Sequence, residues 1–155
     1  KSQFFANVAH FKFKEQKVFV IKPITFINKS GLAVNSIMNY FNIKLEEIIV
    51  VHDELDLSVG EIKIKTKGGH AGHNGLKDIT NTLSSTDFCR LRIGVRGNNK
   101  MQNKSVSDYV LTPPSKAEKL SINAKINDAL DIIELILDVN LEEAMNILHK
   151  KENGL

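Results

Sequence analysis

Ile48-Ile49-Val50-Val51-His52-Asp53-Glu54-Leu55-Asp56 is the stretch that decides the fold. Its first four residues are β-branched and apolar without alternation, the pattern of a strand buried on both faces in a sheet covered by helices. Upstream, Val18-Phe19-Val20-Ile21 is a second short run of this kind, ended by Pro23. Between the two, Val34, Ile37, Met38 and Phe41 recur at i, i+3, i+4 and i+7, which predicts a helix from Asn28 or Ser30 to about Asn42. Strand, helix and strand in that order imply parallel strands, with ligands gathering at their carboxyl ends. Asn28 and Asp53 both stand where such a strand ends or a helix opens.

The 155 residues, 42% hydrophobic and 25% charged, fit one globular domain with a substantial core. The net charge of +3 permits an anionic partner without demanding one, so the position of the charge must decide. One cysteine, Cys89, cannot form an internal disulfide, which fits a reducing compartment. Nothing approaches the roughly 20 apolar residues of a membrane span, and Lys1 to His10 lacks the hydrophobic stretch of a signal peptide. A cytoplasmic chain without membrane contact is expected.

Further along, Glu61 to Lys67 alternates Ile62, Ile64 and Thr66 with Lys63, Lys65 and Lys67, predicting a strand with one basic side. Arg90 to Val95 should be another, with Arg90 and Arg92 on one face. Leu76, Ile79 and Leu83 mark a short helix. The polar stretch from Arg96 to Ser107 reads as a mobile loop able to act as a lid. Ser115 and Glu118 form a capping box for a helix with Ile126, Leu130, Ile133 and Leu137 on one face, and Asn140 and Glu143 repeat that logic before Ala144, Ile147 and Leu148. The expected fold is α/β: one domain over residues 1–155, a three-layer α/β/α sandwich around a twisted, mixed, mainly parallel sheet.

The densest chemistry lies in Gly-Gly-His-Ala-Gly-His-Asn-Gly-Leu-Lys at 68–77, where four of the nine glycines precede a helix start and let backbone approach a ligand. Asp53, at the end of an apolar strand, is partly desolvated and suited to orient a histidine that takes a proton from water; the bland alternative is an acidic turn of Asp53, Glu54 and Asp56 before Gly60. Asn28 and Asn74 each offer a donor and an acceptor for an ester carbonyl or a water, though asparagine is also a common helix cap. Lys63, Lys65 and Arg92 could grip phosphates, or simply solvate a sheet face; Lys67, Lys77 and Lys100 would extend such a patch. Tyr40, Tyr109 and most phenylalanines fall in core-like patterns, leaving no evident platform for stacking bases. His70 and His73 beside acidic residues could suggest zinc or manganese, but a glycine-rich loop does not fix two ligands as a helix face does. The glycines match neither the P-loop nor the dinucleotide fingerprint.

These segments, together with Phe26-Ile27-Asn28-Lys29-Ser30-Gly31 and Arg90-Leu91-Arg92-Ile93-Gly94, closely resemble bacterial-type peptidyl-tRNA hydrolase. The resemblance implies hydrolysis of the ester of peptidyl-tRNA, releasing tRNA and an N-blocked peptide, with no cofactor or metal. Asn28 matches the asparagine of the family's Phe-Met-Asn-x-Ser-Gly, with Ile27 in place of methionine, and Asn74 that of Gly-His-Asn-Gly. Asp53 matches the aspartate that orients the catalytic histidine. Lys63, Lys65 and Arg92 match positions that clamp phosphates at the tRNA acceptor end, and His73 is a loop residue near the cleft.

Family members begin with a hydrophobic strand ending in Gly-Leu-Gly-Asn-Pro-Gly and place the catalytic histidine in Thr-Arg-His-Asn. None of the five histidines here has that context. The expectation is thus a domain lacking its first, central strand and its general base, inactive as it stands and monomeric only when complete, with exposed sheet edges beside Val18–Ile21 and Ile48–Val51 through which it could associate. Two other readings are a non-catalytic tRNA-binding remnant, and a metal-dependent hydrolase using His70, His73 and the acidic cluster.

Overall fold

The computed structural model describes residues 2–97, 105–138 and 140–152. Most of the expected lid, and Lys100 with it, lies outside the described residues. The chain divides into two compact units, Lys1–Ile48 with Lys67–Phe88, and Ile49–Thr66 with Cys89–Leu155.

In the first unit β1 (Ala6–Phe13) and β2 (Gln16–Pro23) form an antiparallel hairpin, Phe13 opposite Gln16 and Ala6 opposite Pro23. A 3-10 turn at Ile27–Lys29 leads into α1 (Ser30–Phe41), and α2 (Asn74–Leu83) packs on α1. Of the expected stripe, Val34 and Ile37 are buried, beside Ala33, while Met38 and Phe41 are half-buried; α1 stops where Asn42 turns left-handed at φ 54° with its N–H on the Met38 carbonyl. Leu76 and Ile79 are the buried stripe of α2. The helices meet closely at Gly31, where a Cβ would stand 2.3 Å from Thr82 Oγ1 and 2.8 Å from the Asp78 carbonyl. The Gly31 N–H donates to Asp78 Oδ2 at 2.7 Å, giving an orphan amide of the first turn a charged acceptor.

In the second unit β3 (Ile49–Ser58), β4 (Ile62–Lys65) and β5 (Cys89–Arg96) form a mixed sheet in the order β3-β5-β4, β5 parallel to β3 and antiparallel to β4. One face, Ile62, Ile64, Cys89 and Leu91, makes a core with Ala129, Ile132, Ile136, Ala144 and Leu148 from the helices α4 (Lys116–Asp131), α5 (Ile133–Leu137) and α6 (Leu141–Glu152). Burial pushes the Cys89 thiol up to about 11, so it is a packed apolar group, not a nucleophile. The short α3 (Val106–Leu111) carries buried Tyr109, whose hydroxyl donates to the Val95 carbonyl and accepts from the Gly97 N–H.

The architecture is α/β with a mixed sheet, but several expectations are corrected. The three-stranded sheet is not mainly parallel among the described residues: it has one parallel and one antiparallel ladder, and β1–β2 is a separate antiparallel pair. Val18–Ile21 lies in an antiparallel hairpin with β1, and Ile49–Val51 runs parallel to β5. They are not fully buried, for each has one strand neighbour in the described residues, and Val20 and Val51 are 55% and 58% exposed. The capping box of Ser115 and Glu118 is present. The stripe on α4 is not: the chain breaks at Ile132 (φ −111°, ψ 9°), which rotates Ala129, Ile132 and Ile136 inward and leaves Leu130 exposed.

Candidate active site

Asp53 is the fifth of ten residues of β3, an exposed position and not the strand's end. The acidic cluster is not a turn, because β3 continues through Glu54 and Asp56 to Ser58, with a register shift between Glu54 and Ser58. A Cβ on Gly94 would stand 2.1 Å from the Ser58 carbonyl, so only glycine lets the irregular end of β3 cross β5 there. Strand alternation separates Asp53, in register with Ile93, from His52 and Glu54, which share the face of Arg92.

The buried acid of the motif is therefore Glu54. Its Oε2 accepts from Arg92 Nε at 2.9 Å and its Oε1 from the Asp56 N–H at 3.0 Å. Burial, the largest influence, raises the pKa, but the Asp56 amide and the Arg92 guanidinium together outweigh it and hold the carboxyl below its ordinary value. His52, also buried, donates from Nδ1 to the Asp53 carbonyl at 2.6 Å. Sequence reasoning placed Glu54 only in an acidic turn or a metal-binding cluster, not as the buried partner of Arg92. The period-two step from His52 and the arginine in register across the ladder were the signals that could have found it.

Lys63 lies opposite Arg92 and Lys65 opposite Arg90, so the four cations do share a face. It is not an open basic surface, however. Arg90 is 1% exposed, and Arg92 is half-buried and held by Glu54. Burial first, and the Arg92 charge second, lower the Arg90 pKa. Lys63 and Lys65 are half-buried and form no ion pair among the described residues; Lys67 falls after β4 ends.

Asn28 and Asn74 belong to the other unit, where the Ile27–Lys29 turn packs on α2. A Cβ on Gly75 would meet Ile27 Cδ1 and His73 Cε1 at 3.0 Å, so the residues beside the two asparagines touch. The alternative helix-cap role is wrong for both. His73 caps α2, its Nδ1 accepting from the Leu76 N–H at 3.1 Å; Phe26 precedes the turn without a capping bond, and Lys29 does so for α1. Both asparagines are exposed, and their carboxamides make no hydrogen bond among the described residues. Two groups rich in donors and acceptors are thus left for a ligand.

His70 Nδ1 accepts from the Gly72 N–H at 3.2 Å, so each loop imidazole uses that nitrogen on its own backbone. No group of three His, Cys, Asp or Glu able to hold a metal occurs among the described residues. Of the aromatics expected in core-like patterns, Tyr109 is buried, whereas Tyr40 is 64% exposed and Phe26 81%. No helix among the described residues is long and apolar enough to cross a membrane.

A family model described as peptidyl-tRNA hydrolase matches residues 1–154. The peptidyl-tRNA hydrolase of Ruthia magnifica is 42% identical over 152 residues, 98% of this chain and 78% of the relative; that of Dichelobacter nodosus is 41% identical over 150 residues, 96% and 78%. A crystal structure of the Acinetobacter baumannii peptidyl-tRNA hydrolase superposes with a TM-score of 0.87 at 32% identity, covering 96% of this chain and 74% of that one. These matches define a hydrolase of α/β architecture. More narrowly, the chain belongs to the peptidyl-tRNA hydrolase family.

Proposed function

We propose that this chain carries the machinery for hydrolysing the ester between peptide and tRNA, on the three-layer α/β/α sandwich anticipated from its sequence. The observation that carries the proposal is the pair Asn28 and Asn74, exposed, their carboxamides without a hydrogen bond among the described residues, and flanked by the Ile27–Gly75 contact. Uncharged carboxamides suit a neutral ester: one can hold the carbonyl and the other a water, stabilising charge that develops on attack.

In this reading Asp53 fixes the tautomer of an imidazole acting as general base and stabilises the imidazolium. The imidazole belongs to the family's Thr-Arg-His-Asn context, which none of the five histidines here has. Lys63 and Lys65 meet phosphates of the acceptor end. Arg92, held through Nε by Glu54, presents its remaining guanidinium donors to the same backbone, and His73 shapes the loop carrying Asn74.

The test is turnover of N-blocked aminoacyl-tRNA by the 155-residue chain, and by the same chain preceded by the family's histidine segment. Expected is chelator-insensitive cleavage by the extended chain, abolished by Asp53→Asn. Unchanged rates in Asp53→Asn would remove the aspartate from the mechanism, and loss of activity with chelator would favour a metal.

A further inference from the structure

We propose that the tip of the β1–β2 hairpin is a second contact for the RNA backbone, separate from Lys63, Lys65 and Arg92. Between Ala6 and Pro23 stand Lys12, Lys14, Lys17 and Lys22 against Glu15 alone, an excess of three that equals the net charge of the whole chain. Elsewhere cations and anions balance in number, so this hairpin alone accounts for the net positive charge. The hairpin lysines are exposed, and the Lys12 side chain is 68% so.

The placement is costly for the fold itself. Lys12 and Lys17 are direct cross-strand partners, and like charges so placed repel. Lys12 Nζ meets Glu15 Oε2 at 3.2 Å, an exposed pair of small worth. Lys14, at φ 52°, occupies a turn conformation that costs a side-chain residue strain, and its ammonium lies over the Phe13 ring at 5.4 Å. Lys17 is fixed over Phe19 at 5.2 Å, and Phe19 stacks on Phe41. Aromatic rings thus position ammonium groups that remain accessible, as binding a phosphodiester chain requires.

From Gln16 to Pro23 the strand extends about 23 Å at about 3.3 Å per residue, and it leads into the turn bearing Asn28. A nucleic acid with its ester at Asn28 could meet the hairpin tip only with a part well removed from that end. This points to a double-helical stem of tRNA, gripped through phosphates and without base readout. The inference rests on the peptidyl-tRNA reading for its choice of RNA. Lysines on an exposed hairpin also deter edge-to-edge pairing, and the experiment separates that role.

The 155-residue chain, Lys12→Gln/Lys14→Gln and Gln16→Lys are titrated with deacylated tRNA across a salt series, with sedimentation in parallel. The double variant should bind roughly tenfold more weakly, its log K against log salt slope shallower by about 2, and Gln16→Lys should bind more tightly with a steeper slope. Unchanged tRNA affinity in both variants overturns the proposal, whether or not the double variant self-associates, and so does a parent chain that binds no tRNA. If tRNA affinity shifts as expected but the histidine-extended chain does not cleave peptidyl-tRNA, the hairpin contact stands and the hydrolase reading falls. Cleavage with hairpin-independent binding gives the reverse.

Discussion

Arg92 Nε and Glu54 Oε2, 2.9 Å apart, tie β5 to β3 through charges that are 18% and 8% exposed at the side chain. A carboxyl whose folded pKa lies below its unfolded value stabilises the fold above that unfolded value, 4.5 for an ordinary Glu, and loses the stabilisation as pH falls through the folded pKa. Glu54→Gln should therefore cost about 1.5–3 kcal/mol near neutrality, since it removes a charge-assisted bond and strands a half-buried guanidinium. The gap from the parent should close below pH 4.5. Urea unfolding at pH 7 and pH 3 checks it, and a gap of equal size at both would show that Glu54 acts only through packing.

Asn28 and Asn74 cap nothing, so alanine at either position should shift stability by no more than about 0.5 kcal/mol. Cleavage of peptidyl-tRNA by the histidine-extended chain should nevertheless fall by about 10²–10³, the loss typical of an oxyanion donor. Thermal denaturation beside kcat/KM separates the two: a large Tm drop would return these residues to a structural role. As a contrast, His73→Ala should lose about 0.5–2 kcal/mol, because His73 is the residue that does cap.

The helices were the most legible part of this chain, because α1 and α2 carry strong 3.6-residue stripes and Asn42 marks a stop. The strands were legible as segments but not as neighbours. An unbroken apolar run such as Ile48–Val51 signals coverage on both faces, and nothing local says how many strands adjoin it. The hairpin partner β1 went unseen, since Ala6-Asn7-Val8-Ala9-His10 alternates weakly and Lys14-Glu15 is a turn without glycine or asparagine. At the site, the motifs picked out Asn28, Asp53 and Asn74 as residues. That Asp53 sits exposed in mid-strand while Glu54 is the buried acid depends on the ladder continuing to Ser58, a pairing set by β5. Likewise, arginines spaced by two read as a solvated face until burial of Arg90 is known.

Three glycines should respond to alanine in graded fashion. At Gly94 the new methyl meets backbone, the Ser58 carbonyl at 2.1 Å, which cannot rotate away. At Gly31 it meets Thr82 Oγ1 at 2.3 Å, but also the Asp78 carbonyl at 2.8 Å, so a side-chain change relieves only part of the clash. At Gly69 nothing lies within 4 Å. Gly94→Ala and Gly31→Ala should each lose about 1–3 kcal/mol or more, with Thr82→Ala recovering part of the Gly31 loss alone, and Gly69→Ala should be near neutral. Chemical denaturation of the set checks the order.

Tyr109 offers the sharpest test of how the far end of β5 is held. Its hydroxyl donates to the Val95 carbonyl at 2.8 Å and accepts from the Gly97 N–H at 2.7 Å, while the ring is 7% exposed. Removing only the oxygen leaves the packing intact and strands one acceptor and one donor of the backbone, a loss of about 1–3 kcal/mol. Tyr109→Phe should therefore destabilise the chain by that amount, and hydrogen exchange should speed up at Gly97 in particular, because that amide loses its acceptor. Equal acceleration throughout β5 would mean that the hydroxyl supports the whole strand and not its end.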